Sequence, residues 1–159
     1  MLDEACDVIR ELGGEHEITV AFSRAGSEVV EMYGYLERIK EKVDTLIYEE
    51  DQGYSSPLAC KLGKFDLIVV SPCTASTTAK IVYGIADSLV SNIASQALKS
   101  GKKIVVLPTD AKKDADTVIP SGKSVSIKCR DVDLANSKKL GKIDGMLVVD
   151  NPREIRKFT

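Results

Sequence analysis

The 159 residues include no tryptophan, a single histidine, four cysteines and only 5% aromatic side chains. The histidine, His16, lies in the charged turn Glu15-His16-Glu17, which suits a surface position better than a general base. Cys6, Cys60, Cys73 and Cys129 are scattered singly. With no CxxC pair there is no zinc or iron–sulfur framework, and we expect reduced thiols, three of them simply buried. Neither a GxGxxG fingerprint nor a GxxxxGK[ST] phosphate loop occurs, so dinucleotide binding of the common kind and P-loop chemistry are set aside. No apolar run approaches the roughly 20 residues of a membrane span. The amino terminus, MLDEACDVIREL, is acidic and amphipathic, unlike a signal peptide, and the expected setting is cytoplasmic. Basic and acidic residues number 22 and 24, for a net charge of −2, in mixed clusters. No basic face recommends nucleic acid and no polybasic run a membrane surface, which leaves small molecules and proteins as partners.

What the chain does have is the stretch from Phe65 to Asp87, FDLIVVSPCTASTTAKIVYGIAD. Phe65 to Val70, interrupted only by Asp66, is a short apolar run of the kind a strand buried on both faces of a parallel sheet requires. Ser71-Pro72 ends it with an extended exit, and Cys73, Thr74, Ala75, Ser76, Thr77 and Thr78 then offer small side chains and four hydroxyls where a helix begins. Free N–H groups of a first helical turn and the positive end of the helix dipole favour an anion at such a place. Serine and threonine are also ordinary N-cap residues, and one would suffice. Local chemistry therefore leaves both readings open.

The segment Pro72-Cys73-Thr74-Ala75-Ser76-Thr77, followed by Ala79-Lys80-Ile81 and Tyr83-Gly84-Ile85-Ala86-Asp87, resembles the PASANT-type flavin motif and following helix of the flavin-containing cysteine decarboxylase superfamily. AKIVYGIADSLVSNIASQALKSGKKIVVLPTD is more similar to the archaeoflavoproteins and flavin-dependent dihydromethanopterin reductases than to the peptidyl-cysteine or phosphopantothenoylcysteine decarboxylases. The similarity runs from Ile18 to Ile155. It departs from the pattern at Cys73 and Ser76, where alanine and asparagine are usual. The resemblance implies FMN as cofactor, held at a subunit interface of a trimer or an assembly of trimers. It places the phosphate-contacting serine on Ser23, beside Arg24, and further flavin contacts on Ser71, Pro72, Cys73, Thr74, Ser76, Thr77 and Thr109. The resembling proteins begin with a strand and a GxTG-type turn that supplies part of the phosphate site, whereas this sequence opens directly on a helix. The decarboxylases' histidine has no counterpart after Tyr48, and their PxMNxxMW motif is replaced by Pro108-Thr109-Asp110-Ala111.

In chain order, Leu2, Cys6, Ile9 and Leu12 recur at helical spacing, with Gly13-Gly14 as a left-handed stop. Ile18 to Phe22 reads as a strand, and Ser23-Arg24-Ala25-Gly26 opens a helix with Val29, Tyr33, Leu36 and Val43 inward. Ser23 fits an anion site or a plain N-cap, and Arg24 a phosphate partner or a solvated side chain. Thr45 to Tyr48 is a short strand, Glu49 to Ser56 a polar loop, and Pro57 to Leu62 a short helix closed by Gly63. Asp87 is expected to cap a helix with Leu89, Val90, Ile93, Ala97 and Leu98 inward, ended by Gly101. Lys103 to Leu107 reads as a strand, Val118 to Ile127 as a hairpin around Pro120-Ser121-Gly122, Asp131 to Leu140 as a helix and Met146 to Val149 as a last strand.

Strands alternating with helices in a chain of this length predict one α/β domain, residues 1–159, with a doubly wound, mostly parallel, Rossmann-like sheet and a projecting β-hairpin. The function that the resemblance implies is that of an FMN-dependent oxidoreductase or electron carrier, with pterin reduction of the dihydromethanopterin type among its activities and a ferredoxin-like protein as one class of donor. A cysteine-decarboxylase-like flavoprotein and a flavinless assembly module are the rivals. Ile81, Val82, Tyr83 and Ile85, apolar on more than one helical face, predict either a homo-oligomer or a filled monomer core. Cys73, at a helix start, is either a reactive thiol or a small buried side chain that alanine would replace.

Overall fold

The computed structural model describes residues 1–53 and 61–159. Most of the expected helix over Pro57–Leu62, together with Cys60, lies outside them. The chain opens with α1, Leu2–Leu12, whose inward face is Ala5, Cys6 and Val8. Gly13 is not the left-handed stop expected of it, because its φ is −64°. It is glycine for room: a Cβ there would sit 2.1 Å from the carbonyl oxygen of Lys42.

Next come β1, Thr19–Phe22, and then two helices where one was expected, α2 at Arg24–Met32 and α3 at Leu36–Lys40. Gly34, at φ +73°, makes the break, since a left-handed residue cannot continue the helix. The break also changes the inward face: Val30 is buried and Val29, expected inside, is exposed. The strand β2, Thr45–Tyr48, pairs in parallel with β1 from Thr19↔Thr45 to Phe22↔Tyr48. A single turn, α4 at Glu49–Gln52, follows it.

The central stretch forms β3, Ile68–Cys73, and α5, Ala75–Val82. The strand runs past its expected end, through a cis Ser71-Pro72 bond, because Cys73 pairs with Pro108 after a register shift. After Gly84, at φ +71°, comes α6, Leu89–Lys99. Its cap is Ser88, in a capping box with Ser91, and not Asp87, whose carboxylate instead meets Lys80 Nζ at 2.8 Å. Gly101, at φ +75°, turns the chain into β4, Ile104–Pro108. The hairpin follows as β5, Asp114–Val118, and β6, Ser124–Lys128, antiparallel about Gly122 at φ +82°. Finally α7, Asp131–Leu140, and β7, Met146–Val148, lead into a 3-10 segment, Pro152–Phe158. Arg156 there meets Glu11 of α1 at 2.6 Å, joining the two ends of the chain.

The parallel strands form two ladders, β1-β2 and β3-β4-β7, in place of one continuous hydrogen-bonded sheet. Among the described residues no strand lies between β1 and β3, and packing joins what hydrogen bonds do not. On one face α1 spans both ladders: Cys6 clusters with Phe22, Val30 and Ile39, and Val8 with Val105, Leu107, Val149 and Ile155. On the other face Ile93 and Ala94 of α6 share a core with Ile47 of β2, with Ala21 packed against it, and with Ile68, Val70, Ile104 and Val106. Burial of β4 is nearly complete, Ile104 to Leu107 being at most 1% exposed. Each such side chain stabilises the fold by about 1.5–3 kcal/mol relative to exposure.

Candidate functional site

The carboxyl ends of both ladders lie on one side of the molecule. Because α6 runs into the amino end of β4, its own amino end stands at the carboxyl edge. There Leu89 N donates to Glu49 Oε2, just beyond β2, at 3.1 Å. Two further helices begin at this edge, each capped by a hydroxyl. Ser23, after β1, accepts from Gly26 N at 3.1 Å, and Thr74, after β3, accepts from Thr77 N at 3.4 Å. Each cap satisfies one first-turn N–H and leaves others for an anion, with the dipole favouring negative charge. The third helix start, at Leu89, already holds a carboxylate. Sequence reading passed over Glu49 because its partner is 40 residues away.

Of the expected contacts, Thr74 and Ser76 are exposed and Thr77 half-buried, and the Thr74 hydroxyl also donates to Thr77 Oγ1 at 3.2 Å. Thr78 is turned inward instead, 1% exposed, with Oγ1 3.4 Å from Cys73 Sγ. Ser71 and Pro72 are half-buried within β3, and Ser71 Oγ is buried without a hydrogen-bond partner among the described residues. Arg24 is exposed and shared between Glu28 at 3.6 Å and Glu50 at 3.8 Å, so its charge is already answered by carboxylates. Thr109 joins the edge through its backbone, its N–H donating to Cys73 O at 2.9 Å. A shallow cleft of about 320 Å³ between Asp66, Leu67, Lys103 and Leu147 lies at the opposite, amino-terminal end of β3, β4 and β7. Its Lys102 is tied to the carbonyls of Gly63 and Phe65.

Cys73 is 1% exposed, and burial pushes its thiol up to about 11, the Thr78 contact offsetting this only in part. A thiol with so high a pKa is almost wholly protonated at neutral pH and a poor nucleophile. Cys73→Ala is therefore expected to leave flavin affinity within about twofold of wild type and turnover nearly unchanged, the removed group being a small buried hydrophobe. Fluorescence titration checks this, and loss of turnover with flavin still bound would contradict it.

Of the four residues that pointed to either an oligomer or a filled core, Ile81 and Val82 pack in the monomer core, whereas Tyr83 and Ile85 face outward at 60% and 48% exposure. Lys139 of α7 lies over the Tyr83 ring, 5.0 Å from its centroid, and donates to its hydroxyl at 2.9 Å. Among the described residues no helix is long and apolar enough to cross a membrane.

The model of the Flavoprotein family matches residues 3–154. An uncharacterised protein of Methanocaldococcus jannaschii is 34% identical, over 98% of this chain and 86% of that protein. The dihydromethanopterin reductase (acceptor) of the same organism is 29% identical, over 99% of this chain and 90% of the reductase. Among solved structures, Burkholderia xenovorans DmrB in complex with FMN, described as a cubic protein cage for redox transfer, superposes with a TM-score of 0.80. The two are 22% identical, the match covering 95% of this chain and 83% of that one. That likeness establishes the shared Rossmann-like flavoprotein fold.

Proposed function

This chain belongs to the Flavoprotein family, and from that premise we propose that it binds FMN at the carboxyl edge and works as an oxidoreductase or electron-transfer protein. The observation that carries the reading is the pair of hydroxyl-capped helix starts, Ser23 on one ladder and Thr74 on the other, at a common edge. They suit a phosphate, and the unpartnered Ser71 Oγ beside them suits a polar ligand atom. Ser23, Thr74, Ser76 and Thr77 would hold the phosphate end, with Ser71, Pro72, Cys73 and Thr109 along the rest. Arg24, engaged by Glu28 and Glu50, would contribute only by exchanging those partners. Bound FMN would supply the redox chemistry, and the chain orientation and electrostatics.

The relative named dihydromethanopterin reductase supports a reduced or oxidised pterin as substrate class, with a ferredoxin-like donor among the partners to assay. The chain would act as a single domain in the cytoplasm, where the buried Cys6, Cys73 and Cys129, which form no disulfide, persist as thiols. Outward-facing Tyr83 and Ile85 would bury themselves in a homotrimer or an assembly of trimers. A decarboxylase reading finds no histidine beyond His16 and no PxMNxxMW motif.

Titration of the purified protein with FMN, FAD and NADPH separates these readings. Quenching of FMN fluorescence on binding at micromolar concentration, with bleaching on reduction and reoxidation by a dihydropterin, is the expected result. Preference for FAD, or no binding of FMN, would overturn it.

A further inference from the structure

Asp110 was not among the residues expected to form the site, yet its carboxylate and carbonyl join three parts of the carboxyl edge. The Thr109 hydroxyl donates to Asp110 Oδ2. Cys129 Sγ, 6% exposed, donates to Oδ1 at 3.2 Å, and Ser137 of α7 donates to the Asp110 carbonyl at 2.9 Å. Cys129 also closes the root of the hairpin, its N–H donating to Lys113 O at 3.1 Å. The carboxylate thus fixes Thr109 against the hairpin root, while the Thr109 backbone is tied to Cys73 at the end of β3.

The direction of the first of these bonds sets what a ligand meets. A threonine hydroxyl has one proton and two lone pairs. An ionised carboxylate can only accept, so the Thr109 proton is committed to Asp110 and a ligand at Thr109 meets lone pairs alone. The negative charge behind that hydroxyl reinforces the selection, because it disfavours an anionic ligand atom at this point. The two halves of the edge therefore differ in sign. Helix starts at Ser23 and Thr74 offer N–H donors and a positive dipole end, whereas Thr109, backed by Asp110, offers an acceptor.

We infer that Asp110 is a positioning and polarity-setting residue, which makes Thr109 an acceptor for a donor group of the ligand, a ribityl hydroxyl or a ring N–H, and keeps the phosphate at the Ser23–Thr74 side. This rests on the flavin reading above. It divides the ligand into a phosphate half that needs donors and a neutral half that needs an acceptor.

The test compares FMN with riboflavin, which lacks only the phosphate, by fluorescence titration of the full chain and its Thr109→Val, Thr109→Ser and Asp110→Asn variants. Thr109→Val is expected to weaken FMN and riboflavin by the same factor, about tenfold, since the bond lost is to a group both carry. Thr109→Ser, which keeps the hydroxyl, restores both. Asp110→Asn presents an amide that can donate as well as accept, frees Thr109 to reverse its bond, and weakens both ligands by a similar common factor. A loss confined to FMN, or no loss in Thr109→Val, would overturn the inference while leaving the flavin reading intact. Failure of the wild-type chain to bind either ligand would overturn both. Equal thermal stability of Thr109→Val, Asp110→Asn and wild type separates a fault in the ligand contact from a fault in folding.

Discussion

Valine in place of Thr74 is expected to weaken FMN about ten- to hundredfold and to leave riboflavin within about threefold of wild type, because a cap and a charge-assisted phosphate bond are lost together. The Thr74 hydroxyl has two tasks. It accepts from Thr77 N at the long distance of 3.4 Å, and it donates to Thr77 Oγ1 at 3.2 Å, a bond at the surface that a phosphate oxygen could displace. Valine has nearly the shape of threonine, so the first turn of α5 keeps its packing and Thr78 stays on Cys73. The cap itself contributes about 1 kcal/mol or less to stability, given its length. A fall in melting temperature without a change in FMN affinity would show that Thr74 is only a cap and would remove the phosphate from this helix start. Serine at the same position retains the hydroxyl and should restore the affinity.

Alanine in place of Gly13 is expected to destabilise the fold by about 3 kcal/mol, within the range of overpacked interior positions. Its φ of −64° would suit any residue, so backbone strain is not the cause. The cause is contact: the new methyl carbon would lie 2.1 Å from Lys42 O and 3.2 Å from the Lys42 carbonyl carbon and Cβ. None of these is the free end of a flexible side chain, so either the end of α1 or the 41–44 turn must move. The turn is anchored by Asp44, whose carboxylate accepts from Ile18 N at 2.7 Å at the threshold of β1. For a chain of this size the loss corresponds to roughly 6–12 °C in melting temperature. A calorimetric shift of less than about 2 °C would show that the turn yields freely.

The sequence carried most of the elements because their signals are local. Gly101, Pro120-Ser121-Gly122 and the apolar runs at 45–48 and 65–70 each act within a few residues, and they placed α6, the hairpin, β2 and the existence of β3, although β3 begins at Ile68, three residues after the expected start. Errors arose where a partner distant in sequence decides the local structure. Gly13 looks like a helix stop, but Lys42 determines why it is glycine. Asp87 has the chemistry of a cap, yet Ser88, one residue later, can close a reciprocal pair with Ser91, and Asp87 is drawn to Lys80. The site was legible as a run of hydroxyls at 74–78, but only the fold turns Thr78 inward and leaves Thr74 and Ser76 outward. Asp110 was invisible as a participant because its partners, Cys129 and Ser137, arrive from 19 and 27 residues away.

The division of the sheet into two ladders has a mechanical consequence. Among the described residues no strand-to-strand main-chain bonds join the two ladders, and α1 and α6 cross the line between them as two struts of packed side chains. Local opening would begin along that line, with each ladder moving as a cooperative body. A ligand gripped by Ser23 on one side and Thr74 on the other would span the line at its open end and act as a third strut. Its affinity would then contain a contribution from holding the halves in register, and the gain in stability on binding would be concentrated in the amides at the carboxyl ends of β1 and β3.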